Sequence, residues 1–349
     1  MSTVLEIQGE KFLINGEPTY PGRACEGCPV EGLLFNMRAV QATFDDENWP
    51  QVRQYVVQDG TRSFAYPDTG QWDPDRNVDE FVAAMGDWRK AGVLALTVSF
   101  QGGRPLRPID KLYMEMSDHP YVNTAFGPDG SLKPAHLARM GKILRRADEL
   151  GMATIVSYFY FGQDGRLANE EAVIRGTDEA TLWLLATGHR NIIVEVVNYA
   201  DHRRIDHDIL RPARVVELIE RVKSARLNGR RLLATTAFNR LPTDEGIRCS
   251  DVLLMHANHQ TPTKHQAMAA EVRSREAFRK APKPLVFNEA GHQVDCLEAA
   301  WQSYASWGYF EAGENNYRDG YQSPPVNWRL QTPALRAFLE RLSQITGGL

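Results

Sequence analysis

The stretch PLVFNEAG, residues 284–291, runs from apolar residues into a carboxylate, Glu289, with a glycine two positions on. A carboxylate at such a place can attack an electrophilic carbon, such as the anomeric carbon of a sugar, provided its neighbours keep it ionised. The competing reading is a carboxylate that stabilises the start of the next helix. A second stretch, IIVEVVNYAD, places Glu195 inside an apolar run. With period two, Glu195, Val197 and Tyr199 share one face, and Val196, Asn198 and Ala200 the other. An unpaired charge in a buried strand costs on the order of several kcal/mol. Glu195 is therefore predicted to meet an arginine or lysine, as a structural group. In HANH, His256 and Asn258 fall on one side, Ala257 and His259 on the other. Imidazoles there can hydrogen-bond hydroxyls or hold a carboxylate in place.

Other predicted strand ends are polar too: Asn36 and Arg38, Ser99 and Gln101, Tyr158 and Tyr160, Asn198, Asn288, and the run Glu311, Glu314, Asn315, Asn316. Any one of them has an ordinary reading, such as a helix cap. Their convergence is harder to explain by packing, and it predicts a polar pocket. Asn36, Arg38, Gln101, Tyr160, Asn198, His256, His259, Glu314, Asn316 and Trp328 are the predicted substrate-binding residues. Trp49, Tyr55, Tyr66, Trp72, Tyr113, Tyr121, Tyr317, Tyr321 and Trp328 lie in the loops beside them. Flat rings flanked by Asn, Gln and Arg suit sugar faces, although many such rings serve only to anchor loops.

Eight apolar segments alternate with amphipathic helices: GLLFNMRAV, VLALTVSFQ, MATIVSYFYFG, IIVEVVN, RLLATTAF, VLLMHANH, PLVFNEAG and YFEAGENN. Parallel strands covered on both faces by helices give this pattern. No GxGxxG follows the first strand and no GxxxxGK[ST] occurs, which removes the common nucleotide-binding readings. The count of eight favours a single (β/α)8 TIM barrel over residues 1–349. A short N-terminal β-hairpin, within 1–22, turns at Asn15-Gly16. Long loops follow strands 1 and 2, on the face where barrels build their sites. Between strands five and six the connection is short, so its outer helix is predicted to be reduced.

The net charge of −4 gives no support for a polyanion partner, and no run approaches the roughly 20 apolar residues of a membrane span. Neither nucleic acid nor membrane is an expected partner. A small saccharide or glycoconjugate is expected, and homo-oligomerisation is left open. There is no HExxH and no tight His/Cys/Asp cluster, so neither metal nor cofactor is predicted. Cys25-Glu-Gly-Cys28 has CxxC spacing but lacks both a second pair for zinc and the strand-to-helix setting of a redox motif. Packing is the favoured reading. The start of the chain lacks the pattern of a secretory signal, and a reducing, cytoplasmic setting is expected.

Taken together, these residues resemble the cellulase-like clan of retaining glycoside hydrolases with a (β/α)8 barrel. The likeness runs through FLINGEP, the fourth-strand Glu195 and Asn198, the sixth-strand His256, Glu289 in PLVFNEAG, and the ending GYFEAGENNYRDGYQSPPVNW. The resemblance implies a glycosidase with Glu289 as nucleophile. It also exposes a departure, because Tyr199 stands where the family carries its acid/base glutamate. A phenol with an ordinary pKa of about 10 protonates a leaving group badly. Either another group supplies the proton, or the substrate needs little help, or the barrel binds saccharide without cleaving it. Glu311 and Asp201 are slightly preferred as donors over His202, Glu314, Glu26 and Glu31.

Overall fold

The computed structural model describes residues 2–44, 66–102, 123–239, 241–311, 317, 320–321 and 324–349. Parallel strands form a nearly closed (β/α)8 barrel. They run Asn36–Arg38, Ala95–Ser99, Ala153–Tyr160, Ile192–Asn198, Leu233–Thr235 with Ala237–Phe238, Leu253–His256, Leu285–Glu289 and Ser306–Tyr309. The fifth strand is broken at Thr236. Its first half pairs with strand four and its second with strand six, so the ring of hydrogen bonds is interrupted only at this break. The Thr236 hydroxyl donates to the Val197 carbonyl at 2.9 Å across the break.

Outside the strands the packing is apolar, as in the buried faces of Pro74–Lys90 (Val78, Phe81, Met85, Trp88) and Pro333–Thr346 (Leu335, Phe338, Leu342, Ile345). Side chains of Asp73, Asn169, Thr243, Thr261 and Thr332 accept backbone N–H groups and start helices. The link between strands five and six holds only the six-residue helix Asp244–Cys249, as its length foretold. At the other end of the barrel, Lys11–Ile14 pairs with Glu17–Pro18 across the Asn15-Gly16 turn. Leu5–Gln8 adds a third strand to this pair, and the Leu5 amide bonds the Arg190 carbonyl just before strand four.

The eighth strand differs from the expected YFEAGENN. It is Ser306–Tyr309, and the preceding helix ends at Gln302. The aromatic run YF looked like a strand start, but Trp307 and Tyr309 face the outer helix, where both rings pack on Phe338. Gly308 faces inward. A Cβ there would lie 2.5 Å from the Asn288 carbonyl oxygen and 2.6–2.7 Å from the Asn36 amide. Backbone in a paired strand cannot move aside, so Gly308→Ala should cost about 1–3 kcal/mol. Urea denaturation would measure the loss, and an unchanged midpoint would contradict this close approach.

Pairing of strands six and seven slips between Met255 and His256: Met255 faces Phe287, but His256 faces Glu289. Asn288 is the extra residue of this bulge, and bulges re-aim side chains. Asn288 and Glu289 are consecutive, yet both make their side-chain contacts within the ring of strands.

Candidate active site

A polar layer crosses the barrel interior, where branched apolar residues usually pack. Thr97 donates to Asn288 Oδ1 at 2.8 Å and lies 3.3 Å from Asn36 Oδ1. Asn288 Nδ2 is 3.4 Å from Glu195 Oε1. His256 stands between two carboxylates, with Nε2 3.7 Å from Glu195 and Nδ1 3.5 Å from Glu289. The ionisable side chain in contact range of Glu195 is thus a histidine rather than the expected arginine or lysine. The Glu195 charge nevertheless acts on Arg38.

Glu289 closes the seventh strand and is buried. Arg38 Nε lies 2.5 Å from its Oε2. The Tyr199 hydroxyl donates to Oε1 at 3.0 Å, and Asn258 Nδ2 donates to the same oxygen and to the Tyr199 hydroxyl. Burial alone would raise the Glu289 pKa. The Arg38 charge, then His256 and the Asn258 and Tyr199 hydrogen bonds, outweigh it and hold the carboxyl below its ordinary value. Tyr199 moves the other way: enclosure and the Glu289 charge push its phenol well above 10. The pair is therefore a neutral donor on an ionised acceptor.

Tyr199 reaches Glu289 from a left-handed backbone, with φ 58°. A bulky residue seldom adopts this conformation, and strain of this kind collects at functional sites. Its ring stands edge-on to His256, with centroids 4.2 Å apart. Just before it, Asn198 is 1% exposed, and neither Nδ2 nor Oδ1 has a partner among the described residues. A buried amide with both ends open invites an outside partner, because leaving it unmatched is costly. Beside Tyr199, Phe161 is sandwiched between Tyr160 at 4.2 Å and His202 at 3.8 Å, forming one aromatic wall.

Other predicted site residues are placed elsewhere. Glu311 accepts from the Tyr309 hydroxyl at 2.5 Å and from Thr332 at 2.8 Å, at the start of the last helix. Asp201 accepts the Asn239 amide at 2.8 Å and ties the fourth loop to the fifth. Gln101 donates to Thr124 and to the Gln163 carbonyl, and takes the Tyr160 amide. It therefore braces the rim. Trp328 is buried against Phe81, Trp88 and Tyr321, and its indole donates to Asn77 at 2.9 Å. His259 is exposed, with φ 61°. Tyr66 and Trp72 stack on each other. Glu314, Asn316, Trp49, Tyr55, Tyr113 and Tyr121 lie outside the described residues.

Asn258 is the contact that the predicted site omits. Its signal was present in HANH, where it shares a face with His256. Among the described residues no three His, Cys, Asp or Glu side chains converge as a metal-binding group, and no helix is long and apolar enough to cross a membrane.

No protein-family profile and no curated protein matches the chain. Solved structures do. An endo-1,4-β-mannanase from Rhizomucor miehei aligns over 99% of both chains with a TM-score of 0.55 and 11% identity. A GH5-4 broad-specificity endoglucanase from Bacteroides salanitronis aligns over 90% of this chain and 93% of its own, with a TM-score of 0.55 and 10% identity. A candidate glycoside hydrolase from Bacteroides vulgatus gives a TM-score of 0.60 at 13% identity over 99% of this chain. The present chain spans 61% of that longer protein. At such identities the likeness establishes a shared barrel fold.

Proposed function

We propose that the chain is a retaining, exo-acting β-glycosidase for short oligosaccharides or glycoconjugates, with Glu289 as its nucleophile. The observation that carries this reading is a buried carboxylate at the end of the seventh strand, kept ionised by Arg38, His256, Asn258 and Tyr199. Such a group can attack an anomeric carbon and form a glycosyl-enzyme intermediate. The open amide of Asn198 is suited to a sugar hydroxyl. The named activities of proteins sharing this fold lend support.

The proton donor is unconventional in this reading. Tyr199 is a neutral phenol committed to Glu289, while Glu311 and Asp201 are engaged with Thr332 and Asn239. Turnover should therefore depend steeply on the acidity of the leaving group, because a weak acid gives it little help. The test is a set of 2-deoxy-2-fluoro glycosides bearing dinitrophenyl leaving groups, followed by peptide mapping. A covalent sugar on Glu289 is expected. A sugar on Tyr199 instead would make the phenol the nucleophile and overturn the assignment.

A second reading, a non-hydrolytic saccharide-binding barrel, is favoured by one contact: the Tyr199 hydroxyl occupies Glu289 Oε1. On that reading a saccharide binds, and no sugar is released even from an activated aryl glycoside.

A further inference from the structure

The CxxC segment lies against the last turns of the helix Pro333–Thr346 and takes no part in the chemistry above. Ala24–Cys25 and Cys28–Pro29 form a two-stranded antiparallel hairpin, with Cys25 directly opposite Cys28. The residues between them, Glu26 at φ 48° and Gly27 at φ 78°, are both left-handed. Two such residues make the tight turn that matches strand twist and fixes the pairing register. Two rungs on, the Val30 amide bonds the Arg23 carbonyl at 2.9 Å.

Cysteines on a two-residue hairpin loop occupy the hydrogen-bonded rung, where opposed Cα atoms lie about 5.5 Å apart. A disulfide accepts Cα separations of roughly 4.4–6.8 Å. Side chains of directly opposed residues leave the same face of the ribbon. The opposed register and the shared face therefore bring the two sulfurs towards each other. Both cysteines are half-buried and free. Cys249 and Cys296 are buried, and burial raises their thiol pKa values, that of Cys296 to about 11. Since the thiolate is the reacting form, those two are suppressed.

We propose that Cys25 and Cys28 form a reversible intrachain disulfide by exchange with a low-molecular-weight disulfide of the glutathione type. One protein thiolate attacks the small disulfide and expels a thiolate, leaving a mixed disulfide. The second cysteine, as its thiolate, attacks the protein sulfur of that mixed disulfide and expels the other small thiolate. Two protein thiols are oxidised, and one small disulfide is reduced to two thiols. The bond encloses only two intervening residues, so it adds little loop-closure stabilisation. Its place gives it a neighbour to act on. Glu26 pairs with Arg341 at 2.8 Å, and Arg23 donates to the Ile345 carbonyl at 2.8 Å, so the hairpin grips the closing helix.

The test starts from the full chain, reduced and desalted, incubated with oxidised glutathione, acid-quenched, alkylated and weighed. The expected result is loss of two of the four alkylatable thiols, with Cys25 and Cys28 in one cross-linked peptide. Cys25→Ser should instead hold glutathione on Cys28, and Cys28→Ser on Cys25. Circular dichroism would verify that both variants are folded. Four thiols remaining, or glutathione on either cysteine of the wild-type chain without closure, would overturn the proposal. So would protection of the pair by zinc ions with no closure under oxidant, which would make it a metal-binding pair.

Discussion

Glu289→Gln should lower kcat/KM on any aryl glycoside the chain turns over by at least about 10³-fold, within the range seen when an enzyme nucleophile is removed. The argument rests on what the change leaves intact. An amide has nearly the same shape, and its one carbonyl oxygen can still accept from Tyr199 and Asn258, so the attacking oxygen loses its charge with little change of volume. Circular dichroism checks that the variant, whose Arg38 has lost its counter-charge, is folded. No glycosyl-enzyme can form, and neither step of the retaining sequence proceeds. Glu289→Ala separates chemistry from structure more sharply. Added formate, a carboxylate small enough for the vacated space, should restore part of the turnover and give a product of inverted anomeric configuration. Undiminished turnover in Glu289→Gln would falsify the nucleophile assignment.

The barrel was legible because its eight apolar segments are short, strongly periodic and separated by helices with clear starts. The eighth was displaced for a physical reason. In SWGYF the inward positions are Ser306 and Gly308, which carry no hydrophobic signal, while the bulky rings point to the outer helix. Glu289 could be read from the apolar run before it. Its surroundings were only half legible. The period-two faces put Glu195 with Tyr199, and His256 with Asn258, and all four meet partners inside the barrel. What the pattern could not give was the bulge at Asn288, which turns two successive residues inward, or the left-handed backbone at Tyr199. Both are local departures from strand geometry, and no spacing of residue types announces them. The signal that names Glu311 and Trp328, a polar or aromatic side chain near a strand end, says nothing of what each side chain touches. Their partners, Thr332 and Asn77, belong to helix starts and outer layers that only the packing brings near.

Arg38→Met should destabilise the chain by about 3–5 kcal/mol at neutral pH, the usual cost of stripping one partner from a buried ion pair. Both side chains are enclosed, at 1% and 9% exposure, so water cannot replace the lost guanidinium. The pH dependence carries the sign. In the native chain Glu289 sits below its ordinary value of 4.5, so its contribution is present above that pH and is lost as pH falls through the depressed folded value. Without Arg38 the burial effect dominates and the folded pKa rises above the unfolded one. Keeping Glu289 charged then costs stability at neutral pH, and protonation relieves it. The gap between variant and native chain should be widest near neutrality and shrink towards pH 4, where urea midpoints can be compared. The acid limb of kcat/KM should move to higher pH in the same variant. His256 and Tyr199 remain in contact with the carboxylate, and Glu195 opposes it through His256, so the displacement measures how far Arg38 alone outweighs burial. Arg38→Met combined with Glu289→Gln should recover most of the loss, because the charge left stranded is then gone as well. If the double variant is no more stable than Arg38→Met alone, the pair does not carry the electrostatic balance of this site.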